Sequence, residues 1–323
     1  MDRIDRQILH CLQRDGRASF RRVAEVLDVS EQTVARRYRA LHAAGTVRVL
    51  VLASARESWF VRIRCRPDAA DALADALAAR EDVAWVSVTA GGGELICGAY
   101  TDPESRGSET GQRSVLLDRL PRTHQVLGFT GHALLRIHVG GDAEWLAFDD
   151  PLTADQIERL GRGPVRRGLP PRIRDDDDPL VAELARDGRA GVAALARATG
   201  WPQSRVSARL DALFGSGAVH VEVDLAVNHL GFHTMAYVFV TVPPGDLEAT
   251  GHQLSLHPET AFAAAITGAA NLLTVVNCRN TDELYAYVTT KVGALPAVHQ
   301  AEVVPVLRTV KQAATRLRGG RLV

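Results

Sequence analysis

Between residues 30 and 39 the chain reads SEQTVARRYR. A serine followed by an acid is a helix start: the hydroxyl caps an orphan backbone N–H, and Glu31 meets the positive end of the helix dipole. On the helix that begins there, Val34, Tyr38 and Leu41 recur at core spacing. Ser30, Gln32, Thr33, Arg36, Arg37 and Arg39 fall on its N-terminal half and outer face. Gln, Thr and Arg are side chains that hydrogen-bond base edges in a major groove, and Arg also grips phosphate. The chemistry these types and spacings allow is recognition of double-stranded DNA, with Arg21, Arg22 and Arg48 placed for the flanking backbone. The plainer alternative is a row of solvated arginines.

Such a helix needs others to hold it in a groove. Upstream, Ile4, Ile8, Leu9 and Leu12 repeat at helical spacing and Asp15-Gly16 ends that run. Ser19 caps a second helix with Phe20, Val23, Ala24 and Leu27 inward. Asp28-Val29 is a tight turn, Gly45 closes the third helix, and Val47 to Leu52 is a β-rich run. Helix, turn, helix and strand make a winged helix-turn-helix.

The pentapeptide RDGRA occurs at 14–18 and again at 186–190, an offset of 172. Held at that offset, Ile4–Val49 aligns without a gap on Asp176–Val221, so the winged unit is duplicated. The copies differ in charge. Residues 1–52 carry ten arginines and six acids, or +4; residues 175–225 carry five and nine, or −4. Arg36 is replaced by Ala208 and Arg39 by Asp211. Because phosphate neutralisation dominates DNA affinity, the first copy is expected to be the main reader. Gln203, Ser204, Arg205 and Arg209 are the secondary candidates.

Each winged unit is followed by an alternating strand, a helix, two strands around a glycine-containing turn, a helix and a last strand. In the first repeat these include SWFVRIRCRP, with Phe60 or Val61 inward, and a helical reading of 107–120. The β-α-β-β-α-β order is ferredoxin-like. The expected class is therefore α+β: two winged helix-turn-helix domains and two ferredoxin-like domains in tandem. The expected boundaries are 1–52, 57–140, a linker over 141–174, 175–225 and 232–312. Zero net charge over 323 residues excludes a uniformly basic coat but not local patches. Cys11, Cys65, Cys97 and Cys278 show no metal or disulfide spacing, and the histidines show none either. The N-terminus is charged at once and there is no long apolar run. A cytoplasmic protein with no membrane span, metal, cofactor or catalytic constellation is expected.

Taken together, IDRQIL, RDGRASFRRVAEVLDVSEQTVARRYRALHAAGTV, TAGGGEL and TGAANL resemble the Lrp/AsnC (feast/famine) transcription regulators, whose winged helix precedes a RAM domain. The usual member has one copy; tandem fusion is the departure. The resemblance implies a small effector, an amino acid or related metabolite, at a glycine turn between the second and third RAM strands. Here that turn is Thr89, Gly91, Gly92, Gly93 and Glu94 in the first repeat, and Thr267, Gly268 and Asn271 in the second. Glycines let backbone N–H groups converge on a carboxylate; Glu94 keeps an acid there and Asn271 does not. It also implies RAM pairing through sheets, within the chain as a pseudo-dimer or between chains, and a homodimer or larger assembly. Siroheme decarboxylases share this architecture, so such an enzyme is the alternative reading, and a regulatory partner that does not bind DNA is a third.

Overall fold

The computed structural model describes residues 1–54, 58–100, 115–140, 145, 147–161, 173 and 177–323. The first repeat runs α1 (Arg3–Arg14), α2 (Phe20–Leu27), α3 (Glu31–Ala43), β1 (Val47–Ala53), β2 (Ser58–Cys65), α4 (Ala70–Ala78), β3 (Val83–Thr89), β4 (Glu94–Tyr100), α5 (Val115–Arg119) and β5 (Val126–Val139). A connecting helix, α6 (Ala154–Leu160), follows. The second repeat runs α7 (Asp178–Arg186), α8 (Val192–Thr199), α9 (Gln203–Gly215), β6 (Val219–Leu225), β7 (Thr234–Thr241), α10 (Leu247–Ser255), β8 (Thr260–Ile266), β9 (Leu272–Cys278), α11 (Thr281–Ala286) and β10 (Gln300–Thr309). The order of elements repeats, as the alignment at a fixed offset requires. Residues 107–114, expected to be helical, and the basic stretch 162–172 lie outside the described residues.

Two compact units result. One holds Met1–Ser54, Leu146–Ala226 and Arg321–Val323; the other holds Ala55–Trp145 and Val227–Gly320. The first unit contains both winged helices. Ser19 and Ser30 accept from the amides of Arg22 and Thr33, the caps their positions predict. Asp28 turns left-handed at φ 54° and Gly45 at φ 68°, the conformation each short turn requires. Strands β1 and β6 pair antiparallel from Val47 opposite Leu225 to Ala53 opposite Val219. At the offset of 172 those two end pairs exchange, so the winged helices are related by a pseudo-twofold.

That symmetry explains the repeated pentapeptide. Arg17 donates to the carbonyls of Gly188 and Ala190, and Arg189 donates to those of Gly16 and Ala18. Each arginine thus closes on the other copy's RDGRA loop. Gly188 packs so tightly on the first copy that a Cβ there would lie 2.6–2.8 Å from the Leu50 backbone. The Arg189 guanidinium also lies 4.5 Å from the Phe20 ring centroid. Burial lowers the pKa of both arginines, and the carbonyls compensate the lost hydration.

The described part of 141–174 is more than a spacer. Phe148 stacks on His10 at 3.8 Å between ring centroids, and His10 donates from Nε2 to the Asp149 carbonyl. Arg159 on α6 donates to the carbonyls of Glu25 and Val26 at the end of α2. Leu160 is fully buried. Residues 147–161 form a strap on the first winged helix.

In the second unit the strand order is β10-β3-β4-β2-β5-β8-β9-β7, closed into a barrel. Each ferredoxin-like repeat supplies four strands, and the two RAM repeats of one chain pair with each other. Strand β5 runs beside β2 up to Ala133 and beside β8 from Leu134. Likewise β10 leaves β7 after Pro305 and joins β3 at Val306. The register breaks at Leu134/Arg136 and Val306/Arg308, again 172 residues apart, so each bulge steers a long strand across to the other repeat. Phe60 and Val61 are both buried, on opposite faces. Phe60 joins Tyr237, Phe239, Ile266 and Leu273 between the sheets; Val61 joins Leu77, Leu95 and Leu120 under the helices.

Candidate DNA interface and effector joins

On α3, Gln32, Arg36 and Arg39 are exposed. Their spacing of four and three residues aligns them along one outer face of the helix. Ser30 and Thr33 face each other across a 2.8 Å hydroxyl contact as part of the N-cap. Arg21 pairs with Glu25 on the exposed face of α2, and Arg22 is exposed beside it.

Two of the candidate arginines are engaged elsewhere. Arg37 bonds Asp2 at 2.6 Å and Asp5 at 2.9 Å, tying α3 to the start of α1. These carboxylates, Asp5 first, hold its guanidinium above the usual range. The same pair recurs as Arg209 with Asp177, 172 residues on, which marks it as part of the fold of both copies. Arg48 donates to the His42 carbonyl and closes the C-terminal end of α3.

On α9 the positions matching Gln32, Arg36 and Arg39 are Ser204, Ala208 and Asp211, all exposed. The outer face goes from two positive charges to one negative. Pro202 replaces the capping serine and supplies no side-chain cap. Gln203 and Arg205 are exposed, and the Arg205 guanidinium stacks 4.0 Å from the Trp201 centroid.

The two glycine turns lie where the RAM repeats join. Thr89 donates from Oγ1 to the Glu94 carbonyl and carboxylate, at 3.1 and 3.0 Å. Glu94 accepts from Nε of Arg62 at 2.9 Å. The other two nitrogens of Arg62 donate to both Glu302 oxygens at 2.8 Å, and its guanidinium covers the Phe239 ring at 4.5 Å. That forked bond holds the Glu302 carboxyl below its usual range. Gly91 and Gly92 turn at φ 76° and 68°, and a Cβ on Gly93 would lie at ordinary contact distance, 3.7 Å, from the Cys65 carbonyl.

The second turn is arranged differently. The strand registers put Ile266, not Thr267, at the place of Thr89, since Leu134 pairs with Ile266 as Val306 pairs with Thr89. Thr267 exchanges bonds with the Ala133 backbone. Asn271 bonds both backbone groups of Val242. His132 donates from Nδ1 to the Thr267 carbonyl. Arg62, Glu302 and His132 were not among the sequence candidates. The only signal for them is strand parity, which puts them on the face between the sheets. Among the described residues, no group of three or more His, Cys, Asp or Glu could hold a metal ion, and no helix is long and apolar enough to cross a membrane.

Comparison with known proteins agrees with this plan. Residues 1–42 match the AsnC-type helix-turn-helix domain, and residues 235–315 match the Lrp/AsnC ligand binding domain. The HTH-type transcriptional regulator FL11 of Pyrococcus horikoshii is 24% identical over 137 residues, 42% of this chain and 90% of its own length. FL11 of Pyrococcus furiosus is 25% identical over 143 residues, covering 43% and 93%. Among solved structures, the siroheme decarboxylase NirDL aligns over 97% of this chain and 93% of its own, with a TM-score of 0.63 and 13% identity. At that identity the likeness is one of fold, and it extends to the tandem arrangement. With a helix-turn-helix of one type at the head, a ligand-binding domain of the same type at the tail and the same plan repeated between them, this chain is similar in its parts to the Lrp/AsnC regulators, twice over.

Proposed function

We propose that the chain is a sequence-specific DNA-binding transcription regulator with a small effector, an amino acid or related metabolite, acting at the RAM joins. The observation that carries this is the outer face of α3. Gln32, Arg36 and Arg39 stand exposed in the first copy, while the second copy presents Ser204, Ala208 and Asp211. The first copy is then the reading head, with Arg21 and Arg22 on the flanking backbone. Arg37 and Arg48 position the helix that reads.

Because a chain carries one basic head, two chains are needed on a twofold operator, and a homodimer or larger assembly follows. Within the chain every RAM strand edge is paired in the closed barrel, so assembly through these domains uses helices or sheet faces. The effector acts by population shift: it favours one arrangement of the joins and so one spacing of the heads. Cytoplasmic action without a cofactor fits this reading. The test is binding of the protein to its own upstream DNA at two salt concentrations, beside Arg36→Ala/Arg39→Ala.

The full-length likeness to NirDL favours a second reading, an enzyme acting on a porphyrin. Tight porphyrin absorbance in the purified protein, together with no DNA binding, would establish it instead.

A further inference from the structure

Resting on the effector reading above, the two RAM joins can be compared position by position. Arg62 lies opposite Ile96 on β4, and Phe239 opposite Leu273 on β9. Ile96 and Leu273 each stand two residues after their turn's last member, Glu94 and Asn271. Phe239 is therefore the counterpart of Arg62, and the second join has no cation at that place. Its other polar groups are engaged. Asn271 is clamped on Val242, Thr267 on Ala133, and the His132 ring fills the space over Gly268. A Cβ on Gly268 would lie 2.6 Å from His132 Nδ1, whereas one on Gly91 or Gly92 would meet nothing within 4 Å.

The first join offers an anion site already holding an anion. Arg62 uses Nε on Glu94 and its forked pair on Glu302. The Glu94 side chain is 18% exposed and that of Glu302 is 50% exposed. Glu302 is thus the partner that an incoming group can reach and displace. A carboxylate presents the same two oxygens to the same fork, so the exchange costs little in charge or geometry. Phe239 beneath keeps the guanidinium plane in place throughout.

We propose that the RAM pair takes one carboxylate-bearing effector per chain, at the Thr89–Glu94 join, where its carboxylate replaces Glu302 on Arg62 while His132 keeps the other join closed. Arg62 belongs to β2 of one repeat and Glu302 to β10, the strand that crosses between repeats. Releasing Glu302 therefore removes a bond across the RAM pair and gives the effector a differential contact with two states.

The test is calorimetric titration of the full chain with each of the twenty L-amino acids as probe, on wild type, Arg62→Lys and Glu302→Gln. The expected result is a stoichiometry of one per chain. Arg62→Lys, which keeps the charge and loses the fork, should bind at least tenfold more weakly while circular dichroism shows the chain still folded. Glu302→Gln, which removes the resident competitor, should bind about tenfold more tightly. Two sites per chain, or wild-type affinity in Arg62→Lys, overturns the assignment. So does the absence of binding in both wild type and Glu302→Gln. DNA binding by the same preparations, measured separately, distinguishes that outcome from failure of the regulator reading.

Discussion

The reciprocal arginines give a prediction whose size follows from the contacts. Arg17 loses two hydrogen bonds to carbonyls of the other copy when it is replaced by alanine, and Arg189 loses two as well. A hydrogen bond to a charged group is worth about 1.5–3 kcal/mol. Water entering the space left by the half-buried arginine side chain recovers part of this, leaving about 3 kcal/mol for each arginine. Arg189 also lies over Phe20 at 4.5 Å, against 5.7 Å from Arg17 to Phe214. Its loss should therefore cost roughly 0.5–1 kcal/mol more. For a unit of this size that is on the order of a 10 °C fall in the Tm of the winged-helix unit. Lysine should rescue little, because one ammonium cannot fork onto two carbonyls. Scanning calorimetry of Arg17→Ala, Arg189→Ala and the double variant reads this directly. The two locks share one interface, so the double loss should be non-additive. A fall below about 2 °C in both single variants would refute the claim that RDGRA is repeated to hold the two heads together.

Two further outcomes are expected. Arg37→Ala should lower Tm by a few degrees, since Asp5 is only 17% exposed beside it, whereas Arg36→Ala should leave Tm unchanged; equal effects in thermal melts would undo the distinction between positioning and reading arginines. The strap should loosen in mild acid. Burial holds the His10 pKa below its ordinary 6.5, so the unfolded chain binds the extra proton first. Its stabilising contribution is complete above about pH 6.5 and is lost as pH falls through that value toward the folded one. Protection factors for amides in residues 147–161, corrected for the intrinsic pH dependence of exchange, should fall between pH 7.5 and 5.5 in wild type, and pH-independent protection factors would contradict the assignment.

Local chemistry made much of the fold legible. Ser19 and Ser30 cap where their positions said they would, Gly45 closes α3, and the alternation in SWFVRIRC and the β-rich run VAWVSVT gave strands. The ungapped repeat gave the tandem plan. What the sequence withheld was long-range. RDGRA was visible twice, but its cause is a contact across 171–173 residues that no local pattern encodes. Arg37 sits at a helical phase between core and surface, and only its partner at Asp5 separates it from Arg36. Arg62 and Glu302 are 240 positions apart and meet because β10 crosses between sheets. Matching the turns by their threonines misplaced one of them: the strand registers put Ile266 where Thr89 stands. The strap lies in a stretch whose flanks are rich in Pro, Gly and Arg, and its anchors Phe148, Leu152 and Leu160 are too sparse to signal a packed segment.

The central claim is that the first winged helix holds DNA through the outer face of α3. The most direct measurement is the salt dependence of binding to the protein's own upstream DNA, for wild type and Arg36→Ala/Arg39→Ala. Each phosphate contact contributes a slope of about −0.9, so the account predicts weaker binding in the double variant and a slope shallower by up to about 1.8 per head. Unchanged affinity and slope would contradict it and move the DNA contact to another part of the chain.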